Sequence, residues 1–325
     1  MFVDPAPAPM TVKRKRWARR TQRANGRDMR MNWAEGYIAV DWGTTNRRAW
    51  RVNPNGAVAG EMEDDKGILA VPDGGFHQAV AEIRASLGDL PMLMGGMIGS
   101  NRGWLEAPYA RCPAGLPELA AHLLWIEAER AAIVPGVAFD GDSEADVMRG
   151  EEVQLLGAFA EGWIGADSTL CHPGTHNKWV RLEDGRIAAF RTIMTGELFN
   201  LLKEHSILAD LIAGPAEPGR AFEAGVRHGL EQDDLTAELF SVRARALLGK
   251  APREDSGAYV SGLLIGADLK VGLRLAGDGE VVVIGRPELT RLFRAALDAA
   301  GRQSREIDGE AAFLAGVRHL VELLR

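Results

Sequence analysis

The chain has 325 residues, 46% of them apolar, and a formal net charge of −7 at pH 7. That length exceeds what one core usually serves and predicts two domains, while the acidic balance argues against nucleic acid as a partner. No apolar run approaches the roughly 20 residues that span a bilayer, and Cys112 and Cys171 alone make neither a disulfide framework nor a metal–cysteine cluster; a soluble, cytoplasmic protein is expected.

Residues 1–30 stand apart, with Lys13, Arg14, Lys15, Arg16, Arg19, Arg20, Arg23, Arg27 and Arg30 and few aliphatic residues. Such a segment cannot bury enough apolar surface to offset its ordering entropy, and it lacks the apolar stretch of a secretory signal. A disordered basic tail is expected, or a start upstream of a true one near Met31; a nucleic-acid arm is the weaker alternative. Strands follow at Tyr37 to Val40, Ala49 to Val52 and Ala57 to Met62, with Asn53-Pro54-Asn55-Gly56 as a hairpin signal. Phe76 to Leu87 has helical periodicity, Pro91 to Met94 and Ala131 to Val134 read as buried strands, and Glu151 to Glu161 as a helix. Thr169 to His172, Trp179 to Leu182 and Ile187 to Phe190 repeat the opening strand pattern, with Glu183-Asp184-Gly185 as the hairpin. The C-terminal half is mainly helical: Glu197 to Ile207, Arg220 to Leu230, Leu235 to Leu248 and Tyr259 to Leu275. A strand at Val281 to Ile284, a proline-opened helix at Pro287 to Ala300 and a helix at Ala311 to Leu324 complete an α/β pattern.

The repeat is the informative feature. Gly43-Thr44-Thr45-Asn46 and Gly174-Thr175-His176-Asn177 share Gly-Thr-X-Asn, each in a strand–turn–strand unit with a tryptophan-bearing second strand. A repeated layout suggests duplicated half-molecules, and a spacing of about 130 residues allows one domain per copy. A glycine- and hydroxyl-rich turn exposes N–H groups that can hold phosphate oxygens. Asp41, at a strand end, suits Mg²⁺, which prefers carboxylate and phosphate oxygens. The plain alternative is that Gly43 only permits the turn and Asp41 or Asn46 caps it.

Asp41-Trp42-Gly43-Thr44-Thr45-Asn46 resembles the first phosphate motif of the actin, sugar kinase and Hsp70 superfamily, and Pro173 to Trp179 a variant of its second. Met94 to Trp104, Val147 to Glu152, Thr195-Gly196-Glu197 and Ser261 to Ala267 together resemble the 2-dehydro-3-deoxygalactonokinase family, from about Tyr37 to the C-terminus. The resemblance implies ATP-dependent phosphorylation of 2-dehydro-3-deoxy-D-galactonate at its 6-hydroxyl. It also implies two ribonuclease-H-like (actin-like ATPase) domains around an interdomain cleft, with helical additions in the C-terminal half. Residues 31–165 would bind sugar acid and phosphate, and residues 166–325 the nucleotide. Gly285-Arg286-Pro287 departs from the small residues expected after glycine at the adenosine site.

Asp41 is then the expected magnesium ligand, with Gly43, Thr44, Thr45, Asn46, Gly174 and Thr175 around the phosphates and Gly285 at the adenosine. Lys178 adds positive charge there or lies on a solvated face. For the sugar acid, Arg102 and Arg149 offer forks for a carboxylate, Asn101 donates and accepts, and Trp104 presents a flat face or packs in the core. Glu151 is the expected general base, by similarity to the Gly-X-Glu-Glu segment of the exopolyphosphatase branch; Asp146 and His176 compete. A first-turn position would equally explain Glu151 and Glu152 through the helix dipole. A phosphohydrolase, a kinase of the gluconate-derived isomer and a DNA-binding sensor are the alternatives. The expected ligands are ATP, Mg²⁺ and a small sugar acid, with no nucleic acid or membrane; a homodimer is the base-rate expectation.

Overall fold

The computed structural model describes residues 33–141 and 144–325. The basic segment expected at residues 1–30 lies outside the described residues. The opening hairpin pair is β1 (Tyr37–Trp42), β2 (Arg47–Val52) and β3 (Val58–Asp64). There follow α1 (Phe76–Leu87), β4 (Met92–Gly96), β5 (Tyr109–Arg111), α2 (Leu116–Ala121), β6 (Leu124–Glu127), β7 (Ala131–Ile133), β8 (Gly136–Asp140), β9 (Ala145–Met148) and α3 (Glu151–Ala160). A second set of hairpins, β10 (Ser168–His172), β11 (Asn177–Glu183) and β12 (Arg186–Ile193), leads into α4 (Thr195–His205), α5 (Arg220–Glu231), α6 (Leu235–Leu247) and α7 (Ser256–Ala276). The chain closes with β13 (Val281–Gly285), α8 (Pro287–Ala299), β14 (Ser304–Asp308) and α9 (Gly309–Leu324).

Two sheets share one plan. The first has order β3-β2-β1-β4-β7-β6 and the second β12-β11-β10-β13-β14; β5-β8-β9 form a small third sheet. In each large sheet an antiparallel three-strand meander is extended by a parallel strand beside its first member, β4 on β1 and β13 on β10. The sequence dictates which faces are buried, because residues alternate sides along a strand. Tyr37 and Ala39 of β1 join the core that holds α3 and α9, whereas Ile38, Val40 and Trp42 pack under α1. Leu170, Val180 and Leu182 of the second sheet face that same α3/α9 core, while Cys171 and Trp179 face α7 and α8.

Helices α3 and α9 are therefore shared between the sheets, and they approach closely. A Cβ on Gly157 would lie 2.2 Å from the Ala312 carbonyl oxygen, and one on Gly316 2.1 Å from that of Val153. No other residue fits that crossing without moving backbone. Its consequence is positional: the starts of α3 and α9 are brought to the ends of β1, β4, β10 and β13. The apolar face left over by α4, α6 and α7 forms a separate helical cluster around Leu239, Val260 and Leu263. Among the described residues, no helix is long and apolar enough to cross a membrane.

Strand ends differ from the sequence reading in a way that bears on the site. β1 continues through Asp41 and Trp42 because the Trp42 ring is fully buried, stacked edge-on to Phe76, with its Nε1 donating to the Lys66 carbonyl at 2.9 Å. β11 begins at Asn177, two residues earlier than the apolar pattern indicates, because Asn177 and Lys178 are buried polar residues with dedicated partners.

Candidate active site

The turn between β1 and β2 is backed by its own chain. The carbonyls of Gly43, Thr44 and Thr45 accept from the N–H groups of Ile68, Leu69 and Gly67 at 3.0, 3.3 and 3.0 Å. A Cβ on Gly67 would sit 2.3 Å from the Thr44 oxygen, so only glycine allows this support. With the carbonyls committed behind, the N–H groups of Thr44 and Thr45 have no acceptor within the described chain and lie on an exposed tip. The turn between β10 and β11 repeats the device. Its Thr175 carbonyl accepts from Glu197 N–H at 2.9 Å, its His176 carbonyl from Lys178 Nζ at 2.9 Å, and its Thr175 and His176 N–H groups have no acceptor among the described residues. Gly196 permits that backing, since a Cβ there would lie 2.4 Å from the Gly174 oxygen.

Contacts join the two turns. Gly96, at the end of β4, lies against Asp41: a Cβ on it would be 3.4 Å from Asp41 Oδ1. Gly150 packs on Gly96, its φ of 110° setting the sharp entry to α3. Glu151, the first residue of α3, then pairs with Lys178 at 2.7 Å. On the other side Arg48 donates to Asp41 Oδ2 at 3.0 Å and to Glu310 Oε2, at the start of α9, at 3.1 Å. Gly309 meets Gly285, and Gly285 meets Pro173 beside the second turn. Both turns, Asp41, Glu151 and Gly285 thus border one region.

The charges there are tuned. Burial pushes the Asp41 carboxyl above its ordinary value, with the Arg48 guanidinium pulling it back and the Arg286 charge adding to that pull. Burial would also raise Glu151, but the Lys178 ammonium, with the His172 charge and a backbone hydrogen bond, outweighs it and the net direction is down, so Glu151 is ionised at neutral pH. His172, which hydrogen-bonds Gln154 through Nε2 at 2.9 Å, is held below its ordinary value by burial. Glu152 behaves in the opposite sense to Glu151. It is fully buried, one oxygen accepts from Gly150 N–H at 2.7 Å, and Oε1 has no partner among the described residues. Burial, and then the neighbouring Glu151 charge, raise it from 4.5 to about 8.

That shift makes a signed prediction. An acid whose folded value exceeds its unfolded one takes up a proton on folding between the two. Its contribution to stability therefore falls as pH rises from about 4.5 to about 8 and is constant above. Glu152→Gln removes this term. Relative to the parent, the variant is expected to gain stability across that window, on the order of 3 kcal/mol by neutral pH. Urea midpoints at several pH values read this directly, and a difference independent of pH would contradict it.

Arg149 immediately precedes this entry. It is 9% exposed, its Nη2 donates to the Ala107 carbonyl at 2.8 Å, and its guanidinium lies 4.3 Å from the Tyr109 ring centroid. Nε and Nη1 are buried without a partner among the described residues. The loop after β4 runs over it, a Cβ on Gly99 falling 2.9 Å from Nη1. Asn101 and Arg102 occupy the exposed tip of that loop. One face of Trp104 is covered by Phe76, 6.1 Å between centroids and 11° between planes, with His77 edge-on. Trp104 thus packs against the core under α1.

Unpaired N–H groups on two exposed tips, the Lys178 ammonium beside the second and an Arg286 charge that acts on Asp41 suit a polyphosphate. The carboxylate of Asp41 has the donor chemistry that suits a divalent cation shared with phosphate oxygens, as Mg²⁺ prefers; among the described residues there is no cluster of three acids, histidines or cysteines that would hold a metal alone. A family model described as 2-keto-3-deoxy-galactonokinase matches residues 41–320. The chain belongs to that family. A relative from Rhizobium meliloti (strain 1021), assigned the name 2-dehydro-3-deoxygalactonokinase, is 40% identical over 294 residues, 86% of this chain and 95% of its own. The 2-dehydro-3-deoxygalactonokinase of Escherichia coli (strain K12) is 35% identical over 288 residues, 87% of this chain and 97% of its own. A crystal structure from Sinorhizobium meliloti, assigned to the same activity, superposes with a TM-score of 0.83 at 38% identity, over 89% of this chain and 99% of that one.

Within this galactonokinase-family chain, the residues singled out from sequence fall into two groups. Gly43 to Asn46, Gly174, Thr175, His176, Lys178, Asp41, Glu151 and Gly285 border one region, with Arg149 two residues before Glu151, while Asn101, Arg102 and Trp104 lie on the loop after β4. Lys178 is buried, not on a solvated face. Of the rival bases, Asp146 is committed to Thr192, accepting from its N–H at 2.6 Å and its hydroxyl at 2.7 Å, which ties β9 to β12. His176 is exposed and hydrogen-bonded to Glu197. Sequence reasoning missed Gly67, Arg48, Gln154 and Asp268. Gly67 and Arg48 gave no signal, being single residues in ordinary surroundings. Asp268 had one: a lone acid within the apolar helix Val260 to Leu269.

Proposed function

We propose that the chain is an ATP-dependent sugar-acid kinase that phosphorylates 2-dehydro-3-deoxygalactonate at its 6-hydroxyl. The observation that carries this reading is the pair of equivalent turns, each with committed carbonyls and with N–H groups that have no acceptor among the described residues, linked through Glu151 and Lys178. In this reading the first sheet with residues 31–165 forms the sugar-acid lobe, the second with residues 166–325 the nucleotide lobe, and the region between them is the cleft.

The sugar 6-oxygen attacks the terminal phosphorus, the bond to the ADP oxygen breaks, and the hydroxyl proton passes to Glu151. Phosphoryl transfer needs alignment and charge neutralisation more than covalent chemistry. The N–H groups of Thr44, Thr45, Thr175 and His176 hold phosphate oxygens, and Lys178 offsets their charge. Mg²⁺, when bound, would neutralise the phosphates further, with Asp41 as its protein ligand. Glu151, kept ionised by Lys178, is a weak base; it suits a loose transition state in which the attacking hydroxyl becomes acidic late.

Arg149 receives the substrate carboxylate. Among the described residues its Nε and Nη1 have no partner, and leaving such buried donors unpaired is costly, which favours an anionic oxygen of the substrate as their partner. Arg149→Ala is expected to raise the sugar-acid KM by about tenfold or more, the 1.5–3 kcal/mol of a charged hydrogen bond, with the ATP KM little changed; an unaltered sugar-acid KM would remove Arg149 from this role. The reading as a whole is tested by following ADP release with ATP-Mg and a panel of 2-keto-3-deoxy sugar acids. Turnover strongest with the galactonate-derived acid is expected, and ADP release indifferent to any sugar acid would overturn the assignment.

A further inference from the structure

The second turn is held in place by a carboxylate that lies behind it. Asp268, in the middle of α7, is 1% exposed and has three neutral donors. Asn177 Nδ2 donates to Oδ2 at 2.7 Å, Trp179 Nε1 donates to Oδ1 at 2.6 Å, and the Thr195 hydroxyl donates to Oδ2. Asn177 is equally buried, and its other amide atom, Oδ1, accepts from Gly174 N–H at 2.7 Å. Thr195 opens the α4 segment whose Glu197 N–H backs the Thr175 carbonyl.

We infer that Asp268 is a positioning residue for the phosphate-holding turn, fixing the orientation of the Asn177 amide so that its oxygen, not its nitrogen, meets Gly174. The inference rests on the proposed role of this turn. A side-chain amide is oriented only by its partners. Gly174 N–H can only donate, and an ionised carboxylate can only accept, so one orientation satisfies both ends. The chain of polarity runs Asp268, Asn177, Gly174, and a second branch runs Asp268, Thr195, α4. Both branches end on the Gly174–His176 turn. A neutral residue of the same shape would break the chain. In Asp268→Asn the oxygen is claimed by Trp179, whose indole N–H can only donate, so the new NH₂ faces the Asn177 NH₂. Asn177 then turns over, and its nitrogen opposes Gly174 N–H.

Exchanging the two residues repairs this on paper. In the Asp268→Asn, Asn177→Asp double variant, one oxygen of the new carboxylate accepts from Gly174 and the other from the new amide. The Thr195 hydroxyl accepts from that same amide, and Trp179 keeps its acceptor. Shape and buried charge are unchanged.

The test compares parent, D268N and the D268N/N177D exchange in the full chain. The readouts are the KM for ATP, the KM for the sugar acid, and hydrogen exchange of the Gly174 amide by NMR without substrates. D268N is expected to raise the ATP KM and the Gly174 exchange rate at least tenfold while leaving the sugar-acid KM within twofold; the exchange variant is expected to recover both. A merely structural carboxylate would give equal losses for both substrates and no recovery in the exchanged pair, and either that result or an unperturbed Gly174 amide in D268N overturns the inference. Should D268N not fold, Asn177→Ala decides, because it deletes the amide alone: unchanged ATP KM and Gly174 exchange would count against the relay. If the parent shows no ATP turnover, the kinase reading fails separately, and Gly174 exchange still judges the relay.

Discussion

Lys178→Met is expected to cost about 3–5 kcal/mol of stability, the penalty for leaving a buried partner charge uncompensated. Lys178 has a 5% exposed side chain, and its ammonium serves both Glu151 Oε1 at 2.7 Å and the His176 carbonyl at 2.9 Å. Without it, the largest influence lowering Glu151 is gone, and burial pushes the carboxyl upward against the His172 charge and a backbone hydrogen bond. The acid limb of the kcat/KM profile should accordingly shift to higher pH, since a protonated Glu151 cannot accept the hydroxyl proton. Two measurements separate the consequences. Denaturant unfolding reports the stability loss, and adding Glu151→Gln to the lysine variant should restore part of it by removing the stranded charge. Turnover should not return in that double variant, because general-base assistance is worth about 10²–10⁴ in rate. A lysine variant with parental stability and an unshifted pH profile would mean that the ion pair organises nothing.

Asp41→Asn is expected to lower magnesium-dependent turnover by about 10²-fold or more, on the scale of losing one preorganised charge at a transferring phosphoryl group. Its fold should persist. Asp41 is destabilised by burial as a charge, so the isosteric amide removes a cost while Arg48 keeps Glu310 at 3.1 Å. Thermal unfolding close to the parent's, with turnover lost and partly regained at high Mg²⁺, is the expected pattern. Undiminished turnover would exclude Asp41 from the metal.

The two Gly-Thr-X-Asn turns were legible in the sequence because the same short string recurs in two strand–turn–strand units, although only Gly43, whose Cβ would lie 3.2 Å from the Asn46 oxygen, is crowded. The strands around them, whose alternation marks both faces, were legible too, as were the long helices. The short elements were not. β14 reads Ser-Arg-Glu-Ile-Asp, an edge strand with one apolar residue, and β5, α2, β6, β8 and β9 are each too brief for a period to register. Within the site, Asp41 and Glu151 could be singled out by motif, whereas their partners could not. Arg48 reaches Glu310 across 262 residues and Asn177 reaches Asp268 across 91, pairings that exist only once α9 and α7 have docked. Trp104 shows the converse limit: a tryptophan in a glycine-rich loop suggests a ligand platform, but Phe76, arriving from α1, takes one of its faces.

The claim on which the account depends is that one nucleotide is held by both turns. A crystal structure of the protein with Mg²⁺ and a non-hydrolysable ATP analogue tests it most directly. The account predicts phosphate oxygens at about 3 Å from N–H groups of Thr44 or Thr45 and, at the same time, of Thr175 or His176, with the metal on Asp41. An analogue bound to one turn alone, or in the separate 270 Å³ cavity lined by Arg220, Arg245 and Tyr259 among the helices, would contradict it.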